Sequence, residues 1–129
     1  FDFVDEIVIA DLNATTAEAF ASQLGKKARG LAVDVRNPDV LDSVLAQGDI
    51  VLNTVGPFFR FGVPILKAAI RTGRNYIDLC DDWEPTLEML DLHEEAYPCP
   101  FGSTPSTPRQ ASASAHTRGV GDSIAALSD

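Results

Sequence analysis

Short apolar segments alternate with longer segments of helical periodicity along the first three quarters of the chain. The short segments are residues 7–10, 31–33, 50–54 and 75–79, and they are dominated by β-branched and other large apolar residues. Such runs are typical of strands that are buried on both faces of a sheet. Strands that alternate with helices predict a parallel sheet with helical crossovers. The pattern therefore predicts an α/β fold, namely a doubly wound, mostly parallel Rossmann-like sheet.

Capping residues mark the first predicted helix. Thr15 and Glu18 have the spacing of a capping box, and Asn13 is a competing N-cap. Gly25 is placed to end the helix. Apolar residues at helical spacing give this helix a face for the core: Ala17, Phe20, Ala21 and Leu24.

Three further helices are predicted from the same signals. Asn37 followed by proline starts the second helix, and Gly48 ends it. The third covers residues 63–72, with Pro64 in its first turn and Gly73 at its C-terminal cap. The second helix turns Val40, Leu41, Val44 and Leu45 to the core, and a fourth helix after Pro85 turns Leu87, Met89 and Leu90 inward.

The last part of the chain has a different composition. Residues 97–129 hold half of the eight prolines and many Ser, Thr and Ala residues without a clear period. Such a segment buries too little apolar surface to offset its ordering entropy. We predict a division into a partial dinucleotide-binding domain, residues 1–96, and a disordered or non-native tail, residues 97–129, in which residues 124–127 have at most a short helix.

Composition and charge exclude several classes of partner. A formal net charge of −9 argues against nucleic acid and anionic membrane surfaces, because both attract basic patches. No apolar run approaches the roughly 20 residues that span a bilayer, and no signal peptide is visible. The two cysteines, Cys80 and Cys99, are expected to be free thiols. We expect a cytoplasmic protein.

The start of the sequence suggests a fragment. Phe1 stands where an initiator methionine would be, and the first strand follows almost at once. A complete dinucleotide-binding sheet would begin with a strand and a glycine-rich loop upstream of this point. We therefore expect a sheet that lacks its first strand and its glycine-rich loop.

Polar residues follow the predicted strands at the edge where a parallel sheet binds its ligands. Asp11 is expected to accept hydrogen bonds from the adenosine ribose hydroxyls, unless it is a solvated residue that caps the following helix. Asp34 and Val35 are expected to border the adenine. The alternative for Asp34 is an acidic residue that only leads into the helix at Asn37.

The next two strands end in further candidates. The turn after the third visible strand is predicted to lie along the cofactor. The alternative is a turn whose residues serve the backbone geometry alone. The turn consists of Asn53, Thr54, Val55, Gly56 and Pro57. Three carboxylates lie close together at the end of the fourth visible strand and have either a substrate-side role or none: Asp78, Asp81 and Asp82. We predict no metal site, because no histidine has a ligand spacing to these carboxylates. Arg60 either reaches a cofactor phosphate or a substrate carboxylate, or is a solvated loop residue.

Three strings resemble a known family. They are residues 51–58 (VLNTVGPF), 61–66 (FGVPIL) and 76–84 (YIDLCDDWE), and together they are similar to the dinucleotide-binding domain of the saccharopine dehydrogenase family. The resemblance covers roughly residues 6–96. It implies a Rossmann domain, with Asp11 at the ribose, Asp34 and Val35 near adenine, and residues 53–57 along the cofactor.

The resemblance also implies an activity. Members of that family are nicotinamide-dependent enzymes that act on secondary amines formed from an amino acid and a carbonyl compound. We expect part of an NAD(P)-dependent oxidoreductase that transfers hydride at a C–N bond, with a dinucleotide and a small-molecule substrate as partners and a homodimer in the full-length protein. Asp11 would repel a 2′-phosphate, which favours NAD over NADP. The alternative is a non-catalytic fragment or nucleotide-binding module, and no catalytic residue is assigned.

Overall fold

The computed structural model of the chain describes residues 3–96 and the backbone of residues 123–128. Strands and helices alternate strictly through the first four strands, as the sequence predicts. The strands are β1 (Glu6–Asp11), β2 (Ala28–Ala32), β3 (Ile50–Asn53), β4 (Asn75–Asp78) and β5 (Ser123–Ser128). The helices are α1 (Ala14–Leu24), α2 (Pro38–Leu45), α3 (Phe58–Thr72), α4 (Trp83–Leu90) and α5 (His93–Ala96).

The five strands form one sheet in the order β2-β1-β5-β3-β4. The pairs β1–β2 and β3–β4 are parallel. A doubly wound sheet has the order 3-2-1-4-5 in its first five strands. β1 to β4 occupy the positions of strands 2 to 5 in that order, so the predicted fold class is confirmed.

β5 fills the central position of the sheet. It pairs antiparallel with β1, where Glu6 lies opposite Ser128, and antiparallel with β3, where Ile50 lies opposite Leu127. The short helix considered for residues 124–127 is therefore wrong, because these residues pair with two strands instead. The rest of the predicted tail, residues 97–122 and 129, lies outside the described residues.

The helices cover the two faces of the sheet unequally. α1 packs on β1 and β2 through Ala17 and Ala21, which contact Ile7 and Ile9. α2 and α3 cover the opposite face and form the larger core cluster. That cluster includes Leu41, Val44, Leu45, Val51, Ile65, Leu66, Ala69 and Tyr76.

β2 approaches α1 closely at Gly30. A Cβ atom added there would lie 2.6 Å from the carbonyl carbon of Ala17 and would also overlap the amide nitrogen of Glu18. Contacts under 3.0 Å to backbone atoms cannot be relieved by a side-chain movement. The absence of a side chain at Gly30 therefore sets the distance between strand and helix. β2 runs from Ala28 to Ala32, so it begins three residues earlier than predicted.

Two helix ends show which capping signals are used. The side chain of Asn13 accepts from the backbone amides of Thr15 and Thr16, so Asn13 is the N-cap of α1 rather than part of a Thr15 capping box. Gly73 ends α3 in the left-handed conformation, with φ of 73°. Its N–H donates to carbonyls of the last turn, as expected of a glycine cap.

α3 begins five residues earlier than predicted. Pro57, after a cis Gly56–Pro57 bond, has extended dihedrals and is the N-cap of α3. The amide of Phe61 already donates to the carbonyl of Pro57 at 3.1 Å. Pro64 consequently lies inside the helix instead of in its first turn.

The predicted inward face of α4 is only partly correct. Met89 packs against the core, and a Cβ atom added at Gly62 of α3 would lie 2.7 Å from its methyl carbon. Leu87 and Leu90 are exposed, whereas Pro85 is buried and Met89 is the residue of α4 that lies against α3.

Within residues 3–96 and 123–128, no helix combines the length and the apolar character needed to cross a membrane.

Candidate functional site

An open cleft lies at the carboxyl edge of the sheet. Four short segments line it: residues 10–12 at the end of β1, 33–36 after β2, 55–56 after β3, and 60–61 in the first turn of α3. The carboxyl ends of parallel strands converge at one edge, which is where doubly wound sheets bind ligands. The cleft brings together five of the predicted cofactor residues: Asp11, Asp34, Val35, Val55 and Gly56.

Asp11 holds the turn between β1 and α1. Its carboxylate accepts a hydrogen bond of 2.7 Å from the backbone amide of Asn13, and its carbonyl accepts from Val33 at 2.8 Å. The side chain is half-buried, since Leu12 and Val33 flank it in the cleft. Asp11 thus has the capping role of the alternative interpretation, and its position in the cleft is also compatible with a ribose contact.

Asp34 forms a bidentate ion pair with Arg36. Its two carboxylate oxygens accept from Nε and Nη2 of Arg36 at 2.8 and 2.7 Å. The Arg36 backbone amide also donates to it at 3.0 Å. These hydrogen bonds lower the pKa of Asp34 to about 2. Both side chains line the cleft, so one rim carries a closely matched pair of charges.

The turn after β3 is fixed by a buried asparagine. Asn53 is fully buried; its side-chain oxygen accepts from the amide of Val55 at 2.9 Å, and its side-chain nitrogen donates to the hydroxyl of Tyr76 at 2.9 Å. Of the predicted turn residues, Val55 and Gly56 line the cleft. Asn53, Thr54 and Pro57 do not line it. Asn53 lies in the core and fixes the conformation of the turn through its hydrogen bond with Val55.

Arg60 supplies a second cation at the cleft. It is exposed, and its guanidinium lies 5.1 Å from the centre of the Phe61 ring. Among the residues that the structure describes, Arg60 forms no ion pair. The guanidinium of Arg60 is therefore available to an anionic ligand.

The carboxylates at the end of β4 and just after it are not part of this cleft. Asp78 is buried and accepts from the amide of Cys80 at 3.1 Å, which shapes the turn that follows β4. Asp81 is exposed, and Asp82 precedes α4 as its N-cap residue without a side-chain capping bond. None of the three lines the cleft.

Burial controls the chemistry of two groups near Asp78. It raises the pKa of the Tyr76 phenol well above its usual range, and the charge of Asp78 adds to this effect. Burial also raises the pKa of the Cys80 thiol, which has Thr86 and the Asp82 carbonyl as weak partners. Both groups are therefore neutral at ordinary pH. Cys80 is a small buried residue, as predicted.

Arg36 is the charged residue of the cleft that the sequence interpretation missed. Its signal was available, because an arginine two residues after Asp34 can fold back on that carboxylate. The preference for NAD rests on repulsion of a 2′-phosphate by Asp11. Arg36 lines the same cleft from the loop after β2 and brings a positive charge that the argument from Asp11 did not include.

No group of three or more His, Cys, Asp or Glu residues within residues 3–96 is arranged to hold a metal ion.

Comparison with known proteins gives the family. Residues 1–113 match the family described as the saccharopine dehydrogenase NADP binding domain. The chain belongs to this family. This match agrees with the cleft at the carboxyl edge and confirms the cofactor class NAD(P), with a dinucleotide as partner.

Related proteins include two kinds of named oxidoreductase. The chain is 38% identical over 87 residues to a saccharopine dehydrogenase-like oxidoreductase of Mus musculus, covering 61% of this chain and 20% of that protein. It is 32% identical over 85 residues to a trans-acting enoyl reductase of Mycobacterium leprae, covering 59% of this chain and 20% of that protein. The chain thus spans about a fifth of the length of these relatives.

A solved structure shares the fold of this saccharopine dehydrogenase NADP-binding domain. Saccharopine dehydrogenase (L-Glu forming) from Saccharomyces cerevisiae aligns with a TM-score of 0.55 and 28% identity, covering 68% of this chain and 18% of the yeast chain. This likeness supports the assignment of β1 to β4 to a dinucleotide-binding sheet.

Proposed function

We propose that the chain is the cofactor-binding part of an NAD(P)-dependent oxidoreductase that transfers hydride at the C–N bond of an amino-acid-derived secondary amine. The observation that carries this proposal is the cleft at the carboxyl edge of β1, β2 and β3, found in a member of a saccharopine dehydrogenase family. In this proposal Asp11 receives the ribose hydroxyls, and Val35 packs against the adenine.

The turn after β3 would lie along the rest of the cofactor. Asn53 keeps the amide of Val55 oriented, Gly56 leaves room for close backbone approach, and Thr54 and Pro57 flank this stretch. The carboxylates Asp78, Asp81 and Asp82 remain a prediction for the substrate side. The division of the chain at Ala96, a cytoplasmic location and a homodimer of the full-length protein also remain predictions.

A second candidate is the reduction of an enoyl C=C bond. It is favoured by the enoyl reductase relatives, which match this chain about as well as the saccharopine dehydrogenase-like ones do. Hydride transfer from a nicotinamide would serve either reaction. Substrate contacts that distinguish the two are expected in the remaining four fifths of such a protein.

The cofactor part is tested by calorimetric titration of the chain with NADPH and NADH. Asp11→Ala should weaken binding, and the control Asp81→Ala should not, because Asp81 is exposed and lies away from the cleft. A longer version with a glycine-rich strand upstream should bind more tightly, since that loop supplies amides to the pyrophosphate. If neither version binds either dinucleotide, the proposal is wrong.

The reaction is tested on a full-length protein that contains this chain. Oxidation of NADPH or NADH would be followed with an enoyl thioester, and separately with an α-amino acid plus an α-keto acid. Turnover with the amine-forming pair supports the first proposal. Turnover with the enoyl thioester alone would replace it with the second.

A further inference from the structure

Two oppositely charged side chains meet at the rim of the cleft, in the loop after β2. Nε and Nη2 of Arg36 donate to the two carboxylate oxygens of Asp34 at 2.8 and 2.7 Å. A phosphate group presents two oxygens to a guanidinium in the same parallel arrangement as a carboxylate does. Asp34 therefore occupies the side of Arg36 that a phosphate would use.

The sheet fixes where this pair lies relative to Asp11. β2 is the strand next to β1, and Asp11 lies opposite Ala32 where the two strands end. The carbonyl of Asp11 also accepts from the amide of Val33 at 2.8 Å, so the loops after β1 and β2 leave the sheet side by side. A ribose that is held by Asp11 would have its 2′ substituent near the loop that carries Asp34 and Arg36.

The loop after β1 supplies no cation of its own. A doubly wound sheet that binds NADP holds the 2′-phosphate with an arginine near the end of this strand, but residues 12–14 are Leu, Asn and Ala. Among the described residues that line the cleft, the cations are Arg36 and Arg60. Arg60 follows β3, which is two positions away from β1 in the sheet. Arg36 is therefore the cation better placed to offset the charge of Asp11 at a 2′-phosphate.

We propose that Asp34 and Arg36 form a switch for the 2′-phosphate of NADP, in which the phosphate takes the guanidinium of Arg36 and Asp34 competes for it. This inference rests on the proposed function, because it needs the adenosine part of the cofactor at Asp11. Asp34 gives up its partner at little cost, because both side chains reach water, with 62% of Arg36 and 39% of Asp34 exposed.

Competition within the chain distinguishes this role from a purely structural one. An internal competitor lowers the apparent affinity of a ligand by the fraction of molecules in which the binding group is released. Asp34→Asn removes the competing charge and should favour the phosphate, whereas Arg36→Ala removes the binding group and should disfavour it. If the ion pair served only to shape the loop, the two variants would act alike, because each breaks the same pair.

The test uses the full chain and three small probes, namely adenosine, adenosine 2′-monophosphate and adenosine 5′-monophosphate. The probes lack the pyrophosphate and the nicotinamide, so they report on the ribose end of the site alone. NMR chemical-shift titration gives the affinities. Arg71→Ala and Asp42→Asn are the matched controls, because Arg71 and Asp42 form a bidentate pair of the same kind outside the residues that line the cleft.

The measured quantity is the affinity for adenosine 2′-monophosphate relative to adenosine. We expect this ratio to exceed one in wild type, to fall about tenfold in Arg36→Ala with the loss of charge-assisted hydrogen bonds, and to rise several-fold in Asp34→Asn. The two control variants should leave it unchanged, and adenosine 5′-monophosphate should gain less over adenosine than the 2′ isomer does.

The Nε–H resonance of Arg36 gives an independent result without relying on affinities. This group changes its acceptor from Asp34 to the phosphate, so its shift should change with adenosine 2′-monophosphate and stay constant with adenosine. The resonance is assigned by its loss in Arg36→Ala. A shift that is the same with both probes would mean that Arg36 stays on Asp34, and the proposed switch would be wrong.

The remaining outcomes separate this inference from the proposed function. A lower ratio in both Asp34→Asn and Arg36→Ala, or a lower ratio in Arg60→Ala alone, would overturn the switch. Equal binding of adenosine and its 2′-monophosphate by wild type would overturn the switch and leave the adenosine site in place. If none of the three probes binds, the switch and the cofactor site are both wrong.

Discussion

The side-chain amide of Asn53 donates a 2.9 Å hydrogen bond to the hydroxyl of Tyr76, and this bond joins β3 to β4 inside the core. Both residues are buried, and the oxygen of the same Asn53 side chain accepts from Val55. The side chain of Asn53 therefore links β4 to the turn after β3, and this turn lines the cleft at Val55.

We predict that Tyr76→Phe destabilises the chain by about 2 kcal/mol. The substitution leaves the buried nitrogen of Asn53 without its acceptor, and an unsatisfied buried donor costs about 1–3 kcal/mol. Urea denaturation followed by circular dichroism measures the change. In a double-mutant cycle, Tyr76→Phe should cost clearly less in an Asn53→Ala background. An additive result would show that the hydrogen bond does not couple the two residues.

The second prediction concerns the Asp34–Arg36 pair. Arg36 lowers the pKa of Asp34 to about 2, so Arg36→Ala should return this pKa toward its ordinary range near 4. Carboxyl-detected NMR titration of wild type and Arg36→Ala follows it directly. A folded-state pKa below the unfolded one adds stability above the unfolded pKa and loses it as pH falls toward 2. The pair is exposed, so we expect the shift in the titration and little change in stability at neutral pH.

The third prediction tests the close approach of β2 and α1. Gly30→Ala should cost about 1–3 kcal/mol, because the added methyl group overlaps backbone atoms of Ala17 and Glu18 and forces the helix away from the strand. Ala32→Val is the matched control on the same strand, since Ala32 is exposed. Thermal denaturation of both variants measures the difference. Similar melting temperatures would contradict the packing described for Gly30.

The fourth prediction concerns how Asp11 and Arg36 affect the choice between NADH and NADPH. Asp11→Ala should weaken NADH binding far more than NADPH binding, because its carboxylate suits two free ribose hydroxyls and repels a 2′-phosphate. Arg36→Ala should do the reverse, since a guanidinium at this rim can hold that phosphate. Calorimetry on a version that binds both cofactors measures the four affinities. If each variant affects both cofactors equally, neither residue selects the cofactor.

Local signals in the sequence predicted much of the fold. Buried β-branched runs located four strands, Asn13, Asn37 and Gly73 located helix ends, and Asp11 and Asp34 reached a common cleft. These features succeed because each depends on a few consecutive residues. Periodicity was less reliable for α4, where Leu87 and Leu90 are exposed while Pro85 is buried and Met89 packs against the core.

Features that depend on distant parts of the chain were not predicted. The pairing of β5 with β1 requires knowledge of which sheet position is vacant, and the segment itself is short and rich in alanine. Gly30 carries no local sign that Ala17 and Glu18 lie against it. The position of Arg36 at the cleft likewise follows from how β1 and β2 end side by side.

The place of β5 has a consequence for how the chain folds. Each parallel pair forms from contacts between neighbours in sequence, but Glu6 meets Ser128 only across almost the whole chain. Closing so long a loop is costly in entropy, and such contacts slow folding. We expect the two halves of the sheet to gain structure first and to join last, and pulse-labelled hydrogen exchange should show residues 123–128 protected after β1 and β2. Protection of residues 123–128 at the same time as β1 and β2 would refute this order. The central strand of the sheet would then be the last strand to form.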